Sequence, residues 1–116
     1  MRGTASIDDI VSEALRLYPP APFTLWRFAT TDLTLAGHDL PAGAPVLIGI
    51  EGINTDPSRY DAPGEFNPTR VRRGDLTFGD GPHFCIGAHL ARLEARVMIE
   101  VLHARLPTRN SSRSIR

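Results

Sequence analysis

The chain has 116 residues, which allows at most one small domain with a modest core. Its thirteen basic residues, all arginine, balance thirteen acidic ones, so no global field points to nucleic acid or an anionic membrane surface. The single cysteine excludes an internal disulfide and a multi-cysteine zinc site.

Ser6, with Asp9 three residues on, reads as an N-cap with an acidic first turn. Ile7, Ile10, Val11, Ala14, Leu17 and Tyr18 then recur at helical spacing, and Pro19-Pro20 ends the pattern, which predicts a first helix from about Ile7 to Leu17. Short strands follow. Leu33 and Leu35 alternate, Gly37 permits a turn, and Leu40-Pro41-Ala42-Gly43 reads as another. The continuous apolar run Val46-Leu47-Ile48 predicts a buried strand, and Gly49 to Thr55 has room for one helical turn. The longest apolar stretch, Val46 to Ile50, is far too short to span a bilayer, and the N-terminus lacks the apolar core of a signal peptide; a cytoplasmic protein without a membrane partner is the expectation.

Asp56 to Arg73 is rich in Pro, Gly, Asp and Asn and reads as a long ordered loop anchored by Tyr60 and Phe66. A second main helix starts after Gly87 and runs to about Leu106, where Pro107 stops it. Its apolar stripe is Ile86, Leu90, Leu93, Val97 and Val101, with Arg92, Glu94, Arg96 and Glu100 mostly off it. Residues 108–116 are polar, basic and non-periodic and read as a disordered tail after a unit of residues 1–107.

The chemistry concentrates between the long loop and the second helix, in Phe78-Gly79-Asp80-Gly81-Pro82-His83-Phe84-Cys85-Ile86-Gly87. Three glycines and a proline force a tight, irregular turn there. Cys85 is then placed where a helix N-terminus points its unpaired N–H groups, an environment that stabilises a thiolate. A lone thiolate on a glycine-rich collar suits one axial sulfur bond to a haem iron. A cysteine nucleophile activated by His83 also uses such a thiolate, but leaves the glycines unexplained.

This collar resembles the haem-ligand signature of the cytochrome P-450 family: Phe, Gly, any, Gly, any, His or Arg, any, Cys, any, Gly, with every fixed position filled. Glu13-Ala14-Leu15-Arg16 is similar to the family's Glu-x-x-Arg helix, and Leu17-Tyr18-Pro19-Pro20 follows it as in many members. The order of helix, strands, loop, collar and helix agrees over residues 7–106. The resemblance implies an α+β arrangement: the C-terminal portion of a mainly α parent fold, with two main helices, a small antiparallel sheet, a long meander loop and a haem-ligand loop. It implies a soluble bacterial haem-thiolate monooxygenase that inserts one oxygen atom from dioxygen into a small apolar organic substrate. Its cofactor is haem b (iron protoporphyrin IX), and its electrons come from a ferredoxin or a flavoprotein reductase.

By the same resemblance Cys85 is the axial iron ligand and Phe78 shields its sulfur. Gly79, Gly81 and Gly87 let the backbone approach the macrocycle, and Arg27 and His83 meet the haem propionates. Glu13 and Arg16 form a partly buried pair that anchors the long loop, where an exposed pair is the plainer expectation. The network's third member, Arg or His in the family, is open here because the matching segment carries Glu65; Arg70 is the substitute to test. Ala21 to Leu25 match a stretch lining the substrate pocket. Arg70, Arg72 and Arg73 form a basic cluster suited to an acidic electron donor, or to plain solvation. In the family an oxygen-activating helix precedes Glu-x-x-Arg. The sequence starts at the latter, so no catalytic residue is assigned within it and a C-terminal fragment is expected, with a non-catalytic remnant that binds haem weakly as the alternative.

Overall fold

The computed structural model describes residues 5–71 and 74–106. The expected tail, residues 108–116, lies outside them, as do Arg72 and Arg73. The first helix, α1 (Ile7–Leu17), opens on a capping box. The Ser6 hydroxyl accepts from the Asp9 N–H at 3.1 Å, and the Asp9 carboxylate accepts from the Ser6 N–H at 3.0 Å. Its buried face carries Val11 and Leu17 but also Glu13 and Arg16, so this helix brings an ion pair into the interior.

Four short strands follow: β1 (Arg27–Phe28), β2 (Leu33–Leu35), β3 (His38–Leu40) and β4 (Pro45–Val46). They form two separate two-stranded antiparallel ribbons, β1 with β4 and β2 with β3. Ala36 and Gly37, both at positive φ (50° and 82°), make the two-residue β2–β3 turn that matches strand twist. A second turn closes where the Ala44 N–H donates to Pro41 O at 3.0 Å. The predicted buried strand is corrected here. The strand proper is only Pro45–Val46; pairing resumes at Ile48 O, which accepts from the Thr24 N–H at 3.0 Å, and at the Phe23–Gly49 bridge, while Leu47 and Ile48 are exposed, because a two-stranded ribbon has two faces and the described residues provide no layer to cover them.

The helical turn expected after Gly49 is α2 (Ile50–Asn54), which buries Ile50 and Asn54. In the long loop Tyr60 is buried, as expected of an anchor, while Phe66 is half exposed and anchors little. A 3₁₀ turn (Gly81–His83) leads into α3 (Ala88–Arg105). This last helix packs on α1, but not through the predicted stripe. Arg92 Nη1 donates to Ser12 Oγ at 3.4 Å, Arg96 pairs with Asp8 at 3.5 Å, and Ala88 is buried. Leu90, Leu93, Val97 and Val101 lie on the opposite face, all exposed. Periodicity finds an apolar stripe; it does not say which neighbour covers it, and α1 offers polar Asp8 and Ser12 to the arginine-bearing face instead. Among the described residues no helix is long and apolar enough to cross a membrane.

Candidate functional site

Arg16 satisfies all five of its N–H donors. Nε and Nη2 form a fork on the Glu13 carboxylate at 2.9 and 2.7 Å. Nη1 reaches Asn54 O at 2.7 Å and Pro63 O at 2.9 Å, and Nη2 also reaches Glu65 O at 3.4 Å. Glu13 Oε1 additionally accepts from the Asn67 N–H and from Arg70 Nε, each at 3.1 Å. Arg70 is thus the third charged member of the network; Glu65, in the segment where the family places that member, contributes only its carbonyl. Arg70 also donates to the carbonyls of Asp61, Ala62 and Glu65. With its side chain only 11% exposed and committed to the network, Arg70 adds little to an exposed basic patch; Arg72 and Arg73, the rest of that expected cluster, lie outside the described residues.

Burial works to raise the Glu13 pKa, but the hydrogen bonds from Arg16, Asn67 and Arg70 outweigh it and hold the carboxyl below its ordinary value. The Glu13 carboxylate in turn raises Arg16 above its ordinary value, with burial opposing. The arginine also stands over the Tyr60 ring, 5.1 Å from its centroid. Two arginines and one carboxylate therefore tie α1 to the loop over residues 61–70 without leaving a buried side-chain polar atom unsatisfied among the described residues.

The collar begins next to this network. Gly79 and Gly81 have φ of +77° and +68°, the left-handed region that penalises any Cβ. The Cys85 N–H donates to Phe78 O at 2.9 Å, and Cys85 O accepts from the Ala88 N–H at 3.1 Å, so the residue is held on both sides. Gly87 differs from the other two. Its φ of −84° suits any residue, and a Cβ there would meet Cys85 Sγ at 3.8 Å, an ordinary contact. The backbone conformation therefore requires glycine at two of the three expected positions. Phe78 is half-buried, with Arg92 over its ring at 4.9 Å, while Cys85 is exposed, so any shield from Phe78 is one-sided.

His83 lies in the 3₁₀ turn of the same loop and is exposed. Arg27 is exposed on β1, and no hydrogen bond or ion pair among the described residues joins it to the collar. One loop therefore gathers Phe78, Gly79, Gly81, His83, Cys85 and Gly87, while Arg27 sits on a separate element.

The cytochrome P450 family profile matches residues 6–104. The chain belongs to the cytochrome P450 family. It is 58% identical over 102 residues to the cytochrome P-450 monooxygenase DoxA of Streptomyces sp. (strain C5), covering 88% of this chain and 24% of that protein. It is 38% identical over 106 residues to the 6-deoxyerythronolide B hydroxylase of Saccharopolyspora erythraea, covering 91% and 26%. Among solved structures it is similar to P450 CYP154A1 from Streptomyces coelicolor A3(2), with a TM-score of 0.84 at 32% identity over 95% of this chain and 29% of that one. It is likewise similar to P450 CYP109Q5 from Chondromyces apiculatus, with a TM-score of 0.82 at 44% identity over 87% and 26%. The chain spans about a quarter of the length of these curated relatives, and its fold is a partial P450 fold.

Cytochromes P450 are haem proteins, and the residues present fit that group. The collar exposes one sulfur between two exposed apolar side chains, Phe84 and Ile86, beside an exposed imidazole. No group of three or more His, Cys, Asp or Glu among the described residues could hold a bare metal ion; the exposed thiol offers a single sulfur donor, which fits one axial bond to a macrocycle's iron. Sequence reasoning missed Asn54, Thr77 and the Arg92–Phe78 contact. A buried asparagine has no spacing signature, and Asn54 falls near the end of the Gly49 to Thr55 stretch read only as one helical turn.

Proposed function

We propose that Cys85 is the axial thiolate ligand of a haem iron and that this chain carries the proximal part of a haem-thiolate monooxygenase. The observation that carries the reading is the collar itself: an exposed cysteine, its backbone pinned on both sides, on a turn whose two left-handed glycines leave no Cβ at the bends. The haem is iron protoporphyrin IX. When bound, it supplies the activation of dioxygen and the insertion of one oxygen atom into a small apolar organic substrate.

The chain's own residues bind and orient. Cys85 supplies the sulfur. Gly79 and Gly81 keep the turn tight, and N–H groups at the start of α3 lie close to the sulfur in sequence, where they are placed to hydrogen-bond it. His83 and Arg27 are cationic or polar partners for the two propionates, with Arg27 suited to a bidentate contact. Glu13, Arg16 and Arg70 hold the loop beneath the collar. Electrons come from a ferredoxin or a flavoprotein reductase in a reducing, cytoplasmic setting that keeps the one thiol free. Among the described residues no hydrogen bond joins His83 to Cys85, which weighs against a cysteine-nucleophile enzyme.

The test is haem reconstitution followed by the spectrum of the ferrous–CO form. The intact chain is expected to give the band of a thiolate-bound haem and Cys85→Ala to lose it. A spectrum indifferent to Cys85→Ala would overturn the assignment.

A further inference from the structure

We infer that Asn54 and Thr77 are positioning residues for the Cys85 loop, transmitting the placement of the Glu13–Arg16 face of α1 to the turn that carries the sulfur. The role of Cys85 as a ligand rests on the haem-thiolate reading; the mechanical link does not.

Asn54 is fully buried, with 0% of its surface exposed, and its carbonyl and side-chain amide are all engaged. Its carbonyl accepts from Arg16 Nη1 at 2.7 Å. Its Oδ1 accepts from the Leu76 N–H at 2.8 Å, and its Nδ2 donates to Thr77 Oγ1 at 3.0 Å. The Thr77 hydroxyl then donates to Leu15 O at 3.0 Å. The circuit leaves α1 at Arg16 and returns to it at the adjacent residue. From there the path to the sulfur is short. Leu76 O accepts from the Gly79 N–H at 2.9 Å, and Phe78 O accepts from the Cys85 N–H at 2.9 Å. No step along it contains a long flexible segment, so a displacement of residues 76–77 has little slack to absorb it before the collar.

The chemistry explains the residue types. Position 54 must accept from one backbone N–H and donate to one hydroxyl from the same side chain, which an amide does and a carboxylate or an alkyl group does not. Position 77 must accept and donate at one oxygen, which a hydroxyl does. Losing either leaves partners buried and unsatisfied.

Hydrogen exchange of the whole chain separates positioning from general stability. Thr77→Val keeps the shape and removes the hydroxyl. It is expected to speed exchange at the Cys85 amide about tenfold, the size of one lost hydrogen bond, and to leave the amides of α1 unchanged. Thr77→Ser restores the hydroxyl and is expected to restore protection. Equal acceleration at Cys85 and throughout α1, or none at Cys85, would overturn the inference. If Asn54→Ala fails to fold, Thr77→Val, at a half-buried site, still decides it. In the haem-loaded chain Thr77→Val is expected to lower the share of the thiolate-type ferrous–CO band. A wild-type chain with no such band, but with the exchange result intact, would remove the haem reading and leave the positioning link standing.

Discussion

The Arg92 guanidinium lies 4.9 Å from the centroid of the Phe78 ring while its Nη1 donates to Ser12 on α1. One side chain of α3 therefore touches both the first residue of the collar and the helix that carries Glu13 and Arg16. Phe78 in turn accepts the Cys85 N–H through its carbonyl, so its ring is held by α3 and its backbone by the far side of the collar. Arg92→Ala removes the cation–π contact and the Ser12 bond together and is expected to cost about 1 kcal/mol in urea unfolding. Arg92→Lys keeps a charge but not the flat guanidinium and is expected to recover less than half of it. Equal stability of all three forms would show the stacking to be incidental.

Glu13 makes stability depend on pH. Its folded pKa lies below the ordinary value of 4.5, so the network's contribution is fully present above that value and is lost as pH falls through the lowered folded one. Glu13→Gln leaves Arg16 and Arg70 without their anion and is expected to destabilise the chain by about 3 kcal/mol at neutral pH. The gap between wild type and variant is expected to narrow as pH falls below 4.5, first because the unfolded chain's carboxyl takes up a proton. Urea unfolding at a series of pH values measures it; a gap that stays constant to pH 3 would contradict this account.

Much of the site was readable because its signals are local. The Ser6–Asp9 cap, the helix before Pro19-Pro20 and the collar glycines act within a few residues of themselves, and their chemistry is visible in the letters. The Glu13–Arg16 spacing is equally local, but its burial is not: the surrounding carbonyls of Asn54, Pro63 and Glu65 come from 38 to 49 residues away. Arg70 joins them for the same reason, and no periodicity encodes that return. Asn54 and Thr77 were invisible because, apart from each other, 23 residues away, their side chains bond to backbone groups, which any residue possesses. The outward face of α3 was misread for the opposite reason, since an apolar stripe is a statement about a neighbour that the sequence pattern does not name.

The left-handed glycines predict a graded response. Gly79→Ala and Gly81→Ala each force a Cβ into a backbone region that costs roughly 1–2 kcal/mol, although neither would meet a close neighbour. Gly64→Ala, at a position outside that region with nothing within 4 Å, is expected to stay within about 0.5 kcal/mol of wild type. Thermal unfolding of the three variants orders them. A loss at Gly64 as large as at Gly79 would mean that turn geometry is not what selects glycine in the collar.

The exposed face of α3 predicts how the chain behaves in solution. Leu90, Leu93 and Met98 are 59%, 56% and 63% exposed, and a contiguous apolar surface of this kind drives association between copies. Leu93→Gln with Met98→Gln is expected to leave the urea midpoint nearly unchanged, within about 0.5 kcal/mol per site, because side chains this exposed lose little contact on replacement. The same pair is expected to reduce concentration-dependent self-association in sedimentation velocity. Ala88→Gln, at a position only 2% exposed, is the contrasting change and is expected to destabilise the chain outright. If the double variant unfolds as readily as Ala88→Gln, the face is packed in solution and the outward orientation of the stripe is wrong.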